Sequence, residues 1–105
     1  MDSGEIWKVL KRIQQDKRAL TSHISVFVAI LQLFIEGNRP KHLQVSRQKL
    51  MKLAHIKGIA TYHNCINNLV EWGYIKYEPS YHPLGETRVW IVKEFDNIEF
   101  RFLPK

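Results

Sequence analysis

The 105-residue sequence predicts an α+β fold, helices first and a β-hairpin last. Two observations carry this. Apolar residues recur at spacings of three and four up to Gly73, and after it two short runs rich in β-branched and aromatic residues alternate in and out. The length suits one domain, and 45% apolar residues are enough for a core, although a domain this small gains modest net stability and leaves dimerisation open.

Ile6, Leu10 and Ile13 lie on one face of a helix running from about Glu5 to Arg18, with Trp7 beside them and Lys8, Lys11, Arg12 and Gln15 outside. This helix (residues 1–20) either packs on the core or forms half of a dimer interface. Thr21 or Ser22 is expected to cap the next helix by accepting from its unpaired first-turn amides. Ile24, Phe27, Val28, Leu31, Phe34 and Ile35 form its apolar stripe, and Val26, Ile30 and Leu33 make it apolar nearly all round, as a central helix must be. Gly37-Asn38-Arg39-Pro40 stops it.

Leu43–Val45 suits a short strand. Ser46 reads as the N-cap of a short helix, Arg47–Ala54, with Leu50, Met51 and Leu53 facing in. A link containing Gly58 leads to a helix from about Ile59 to Trp72, in which Tyr62, Ile66 and Leu69 share a face and Gly73 closes the end. Tyr74–Glu78 and Arg88–Val92 are the hairpin strands, with Pro79, Pro83 and Gly85 in the loop between them. Residues 94–105 carry Ile98, Phe100 and Phe102 alternating with Glu99 and Arg101, which suits a third strand or a partner-binding segment.

Helix, short strand, short helix, turn, helix and hairpin in that order resemble the winged helix-turn-helix, a three-helix core plus a β-hairpin wing, here with an extra N-terminal helix and a C-terminal extension. The resemblance rests on Leu50-Met51-Lys52-Leu53-Ala54, on Ala60-Thr61-Tyr62, and above all on INNLVEWGYI, residues 66–75. That last run is similar to the recognition-helix ending of small bacterial winged-helix regulators. The stretch from Tyr77 to Pro83 resembles such proteins carried on mobile elements. One departure is the link His55-Ile56-Lys57-Gly58-Ile59-Ala60, which is one residue longer than the usual turn. The winged-helix domain is assigned to residues 21–93.

Charge points to the partner. Sixteen basic and ten acidic residues give +6, which favours nucleic acid first and an anionic membrane second. The distribution is more telling than the total. Between Glu36 and Glu71 there are six basic residues (Arg39, Lys41, Arg47, Lys49, Lys52, Lys57) and not one acid over 34 positions. A solvated helix face ordinarily mixes signs, so this is an electrostatic footprint for double-stranded DNA. With Tyr62, Ile66 and Leu69 inward, Lys57, Thr61, Asn64 and Asn68 are expected to point outward into the major groove, with Ala60 and Asn67 flanking and His63 within reach of a phosphate. Amide, hydroxyl and ammonium groups suit base edges there. Phosphate contacts are expected from Lys41, Ser46, Arg47, Lys49 and Lys52, and wing contacts from Tyr81, His82 and Arg88, arginine suiting a narrow minor groove. Tyr62 and Trp72 are expected in the core, Trp7 and Trp90 in the core or an interface.

Other classes fare worse. No histidines pair at i+3 or i+4, His63-x-Cys65 is a lone pair of ligand types, and no phosphate loop, dinucleotide fingerprint or Gly-x-Ser-x-Gly occurs. No enzyme activity, cofactor or metal is expected. A single cysteine, Cys65, excludes an internal disulfide and points to the cytoplasm; the acidic N-terminus does not read as a signal peptide. The longest apolar stretch, Ile24–Ile35, is too short to span a membrane, which takes about 20 residues. The expected function is sequence-specific DNA binding as a transcriptional regulator, as a homodimer. The alternatives are an initiator or accessory protein for replication or excision of a mobile element, and a winged-helix protein-interaction module without DNA binding. RNA is less favoured, because no exposed aromatic pair lies on an evident sheet face.

Overall fold

In a computed structural model, which describes residues 3–80 and 85–92, the chain is α+β: four helices and a three-stranded antiparallel sheet. The elements run α1 (Ser3–Gln14), α2 (Thr21–Glu36), β1 (Leu43–Val45), α3 (Arg47–Ala54), α4 (Ile59–Glu71), β2 (Ile75–Glu78) and β3 (Thr87–Ile91). Tyr81, His82 and residues 94–105 lie outside the described residues.

Helix α2 is central. Val26, Phe27, Ala29, Ile30, Leu31, Leu33 and Phe34 are all buried, so it packs on more than one side. Its exposed face keeps Val28 and Ile35 instead, two members of the expected inward stripe. Tyr62, Cys65, Ile66 and Leu69 of α4, Leu50 and Ala54 of α3, and Val9 and Ile13 of α1 share the same core. Helix α1 is therefore tied to the domain, but Trp7 is 64% exposed and belongs to no core.

The strand order is β1-β3-β2, so β3, the last strand among the described residues, is the middle one. Gln44 and Glu78 both lie opposite Arg88, and Lys76 lies opposite Trp90. Alternation puts Leu43, Val45, Ile75 and Val89 into the core and leaves Gln44, Lys76, Glu78 and Arg88 outside. Buried Thr87 donates from Oγ1 to the Val45 carbonyl at 2.7 Å, pinning β1 to β3.

Two helix ends depart from the sequence expectation. First, α1 stops at Gln14, not Arg18, because Asp16 turns back to accept from the backbone and guanidinium of Arg18 at 2.7–3.0 Å. Second, neither Thr21 nor Ser22 caps α2. Leu20 is the N-cap, and its backbone N–H donates to His23 Nδ1 at 2.9 Å. A histidine at the third helical position thus reaches back to the N-cap amide, as the glutamate or glutamine of a capping box does. The end of α4 is as expected: the helix runs to Glu71, with Trp72 as C-cap and Gly73 in the left-handed region (φ 82°). Gly73 and Tyr74 donate back to Val70 and Leu69, closing the orphan carbonyls.

Candidate nucleic-acid interface

The short helix α3 starts as its sequence dictates. Ser46 Oγ accepts the Lys49 amide at 3.1 Å, which leaves Arg47, Lys49 and Lys52 free to project from a helix whose opposite side is buried through Leu50 and Ala54. Ser25 of α2 donates its hydroxyl to the Ala54 carbonyl, fixing where α3 ends. The bend that follows is made by His55 (φ 60°), not by the glycine in the link. Ile56 N–H returns to Met51 O at 2.9 Å, and Gly58 sits extended as the N-cap of α4 (φ −89°). A side chain at Gly58 meets only Thr61 Oγ1, at 3.6 Å, so the turn does not depend on a glycine there.

Arg39, Lys41, Arg47, Lys49, Lys52 and Lys57, the six cations of the acid-free segment, are all exposed. Lys57 lies in the link, two residues ahead of α4, rather than on the helix. On α4 itself Ala60, Thr61, His63, Asn64 and Asn67 are exposed, and at roughly 100° per residue Ala60, Asn64 and Asn67 stand opposite Tyr62, Ile66 and Leu69. The outward face therefore centres on Asn64 and Asn67, and Asn67 outranks its flanking assignment.

Asn68 does not belong to that face. It is half-buried, and its side-chain amide lies 2.9 Å from Nε2 of buried His23. Proton bookkeeping fixes which amide atom makes the contact. His23 Nδ1 accepts from the Leu20 amide, so the neutral ring carries its proton on Nε2, and the group receiving that proton is the Asn68 carbonyl oxygen. Burial lowers the His23 pKa, with the Asp16 carboxylate opposing, and so favours that neutral ring.

Asn68 is one corner of a network joining four elements. The His23 ring lies 4.7 Å from that of Trp72, over which the Arg18 guanidinium forms a cation–π contact at 4.8 Å. Arg12 of α1 donates to the Trp72 carbonyl at 3.0 Å and stacks on Tyr74 at 4.1 Å. The Tyr74 hydroxyl donates to Asp16 at 2.8 Å. The Arg18 hydrogen bonds hold Asp16 well below the usual carboxylate range, and burial followed by the Asp16 contact pushes Tyr74 up to about 12. These groups brace the end of α4 that lies away from Lys57 and Thr61.

Tyr62 is fully buried, its hydroxyl 3.1 Å from that of Tyr77 in β2, and burial drives its pKa far upward. It is a core residue that fixes α4 against the sheet. Arg88 is exposed on β3, where its guanidinium lies 3.6 Å from Glu78. An ion pair between two exposed groups is worth about 0–1 kcal/mol, so Glu78 yields readily to a stronger anion. Trp90 packs against His42 at 5.2 Å between their ring centres. The residue that sequence reasoning missed is Ile59, 48% exposed in the first turn of α4. By spacing it lies on the Tyr62–Ile66–Leu69 face, three residues before Tyr62 and seven before Ile66, so the sequence gives no sign of its exposure.

Among the described residues no three His, Cys, Asp or Glu side chains converge as a metal set, and no helix is long and apolar enough to cross a membrane. Cys65 is buried beside the core. The chain matches no protein-family model, and no curated protein or solved structure is significantly similar to it.

Proposed function

We propose that the chain is a winged-helix protein that binds double-stranded DNA sequence-specifically, as a transcriptional regulator. The observation that carries this is the coincidence of the 34-residue acid-free segment with β1, α3, the link and α4, whose six cations all face solvent. The element order and the β1-β3-β2 sheet support the winged-helix assignment. In it α4 enters the major groove, where Asn64, Asn67 and Thr61 meet base edges, and His63 reaches a flanking phosphate. Arg47, Lys49, Lys52, Lys41 and Lys57 hold phosphates, and Arg88 on the β2–β3 wing exchanges Glu78 for the backbone or minor groove. Ser46 serves through its cap, with the hydroxyl proton available to a phosphate oxygen. Asn68 has no base-reading role.

The test is a fluorescence-anisotropy titration of duplex DNA at 50 and 200 mM salt. Six phosphate contacts predict a fall in affinity of about a thousandfold over that interval. Absence of binding at low salt would sink the proposal and favour the protein-interaction reading. A role in replication or excision of a mobile element uses the same face and is separated from regulation by whether the selected site is repeated at an origin or recombination end. The homodimer belongs to the same proposal, supported by exposed Trp7 on α1 and by Val28 and Ile35 on α2. A monomer by light scattering at tens of micromolar removes it.

A further inference from the structure

The outer face of the sheet carries two aromatic rings that the core does not use. Register fixes the layout: Lys76 lies opposite Trp90, and Gln44 and Glu78 lie opposite Arg88 on its two sides. Thr87 and Val89 are buried, so by alternation Arg88 and Trp90 share the face turned away from the core. His42, one residue before β1, joins that face through its ring, which lies 5.2 Å from the Trp90 ring and is tilted by 42° to it. Trp90 is half-buried, yet it belongs neither to the core nor to the apolar residues packed against it. Lys76 in the same row is exposed, as is Lys41 next to His42. The carboxylates Glu78 and Glu86 stand on the wing-loop side, the first 3.6 Å from Arg88, so the charge beside the rings is cationic. An apolar protein partner would have to desolvate those ammonium groups. A nucleic-acid strand pairs them with phosphates while its base covers the rings. Bases inside a duplex already have their faces covered by their neighbours, so the base that stacks here is unpaired.

We propose that the outer sheet face is a second nucleic-acid site, which takes single-stranded DNA: a base stacks on Trp90 with His42 at its border, and Lys76 holds the adjoining phosphate. Trp90, His42 and Lys76 have no part in the duplex contacts of α3, α4 and the wing, so the site goes beyond that reading. Only the choice of DNA over RNA rests on it, because a chain that holds a duplex through α4 meets the unpaired strand where that duplex opens.

The test is fluorescence anisotropy with labelled oligo-dT of about 15 nucleotides and, in parallel, the labelled duplex, each titrated with the full chain. Oligo-dT is expected to bind at low salt. Trp90→Leu, checked for its fold by circular dichroism, is expected to weaken that binding between about 5-fold and about 140-fold, the worth of one stacked base, with duplex affinity unchanged. Lys76→Gln, at an exposed position, is expected to lower the salt slope of oligo-dT binding by about 0.7, and it decides the matter if Trp90→Leu unfolds. No binding of oligo-dT at low salt, or parental binding by both variants, overturns the site whether or not the duplex binds. Equal losses on oligo-dT and duplex in Trp90→Leu merge the two surfaces into one and overturn it as well. Tighter binding of oligo-rU than of oligo-dT overturns the choice of DNA. Binding of oligo-dT without binding of the duplex overturns the reading of α4 and leaves the sheet site standing.

Discussion

Replacing Asn68 by alanine separates a structural from a base-reading role for this residue. The substitution removes the acceptor for the Nε2 proton of His23, a ring that is 4% exposed and whose other nitrogen is already occupied by the Leu20 amide. An orphaned buried donor costs about 1–3 kcal/mol. Alanine returns about 0.6 kcal/mol of helix propensity over asparagine, so the net loss is about 0.5–2.5 kcal/mol. In a domain of this size each kcal/mol is about 4–8 °C in Tm, so a fall of roughly 2–20 °C is expected. Urea and thermal unfolding, followed by tryptophan fluorescence, measure it, since Trp72 stacks on the affected ring. Asn64→Ala is the matched control. Asn64 is exposed, so the change gains helix propensity and loses no buried bond. It should be as stable as the parent or slightly more so, while losing about 1–3 kcal/mol of binding to the preferred duplex and little to random DNA. Asn68→Asp keeps an acceptor toward Nε2–H and should cost less than alanine. The reasoning is refuted if Asn68→Ala unfolds with Asn64→Ala and loses affinity with it, for then the amide is spent on DNA rather than on His23.

Other consequences are measurable in the same assays. His23 is held neutral, with its pKa below the ordinary 6.5. A histidine depressed in the folded state contributes stability that is present above the unfolded pKa and is lost as pH falls through and below it. Urea midpoints should therefore decline as pH drops beneath about 6.5, and the decline should be shallower in His23→Gln. Asp16 is depressed as well, so its contribution is present above 3.8 and disappears in more acid solution; in Asp16→Asn this second loss should be absent. Arg47→Ala or Lys52→Ala should weaken binding to all duplexes and reduce the salt slope by about one. An unchanged slope removes α3 from the phosphate contacts. Leu50 is completely buried between α3 and the core, and Leu50→Ala should cost about 2–5 kcal/mol of unfolding free energy.

Local signals were readable wherever a residue acts on its own neighbourhood. Ser46 followed by an apolar-periodic run gives α3 its observed bounds, and Gly73 marks the end of α4, because capping chemistry is settled within one turn of chain. The α2 start was misread for the same kind of reason: Thr21 and Ser22 are good cap residues, but His23, buried against Trp72, supplies the acceptor instead. Helical periodicity puts Asn68 on the margin of the outward face. Its partner lies 45 residues earlier in the chain, and no spacing rule reports such a contact. The turn between α3 and α4 shows the reverse error. Glycine was the visible breaker, yet His55 adopts the left-handed conformation, which its hydrogen-bonded helix end makes tolerable. For the candidate site, the basic segment was legible as charge. What the fold adds is that all six cations face solvent and that Lys57 precedes α4.

The strand order has a consequence for how the molecule comes into being. Among the described residues both β1 and β2 pair with β3 alone, and β1 is separated from its partner by more than 40 residues. As the chain leaves the ribosome, at about 5–20 residues per second, β1 waits several seconds for β3 and β2 about one. Helices α2, α3 and α4 have by then all been made and can close on their shared core. Synthesis that halts before residue 87 leaves a helical body bearing two unpaired strands, the kind of edge that recruits other chains. Ribosome-stalled chains with β3 still inside the exit tunnel, and chains lengthened by a C-terminal linker so that β3 has cleared it, should thus differ sharply in protease sensitivity and in aggregation.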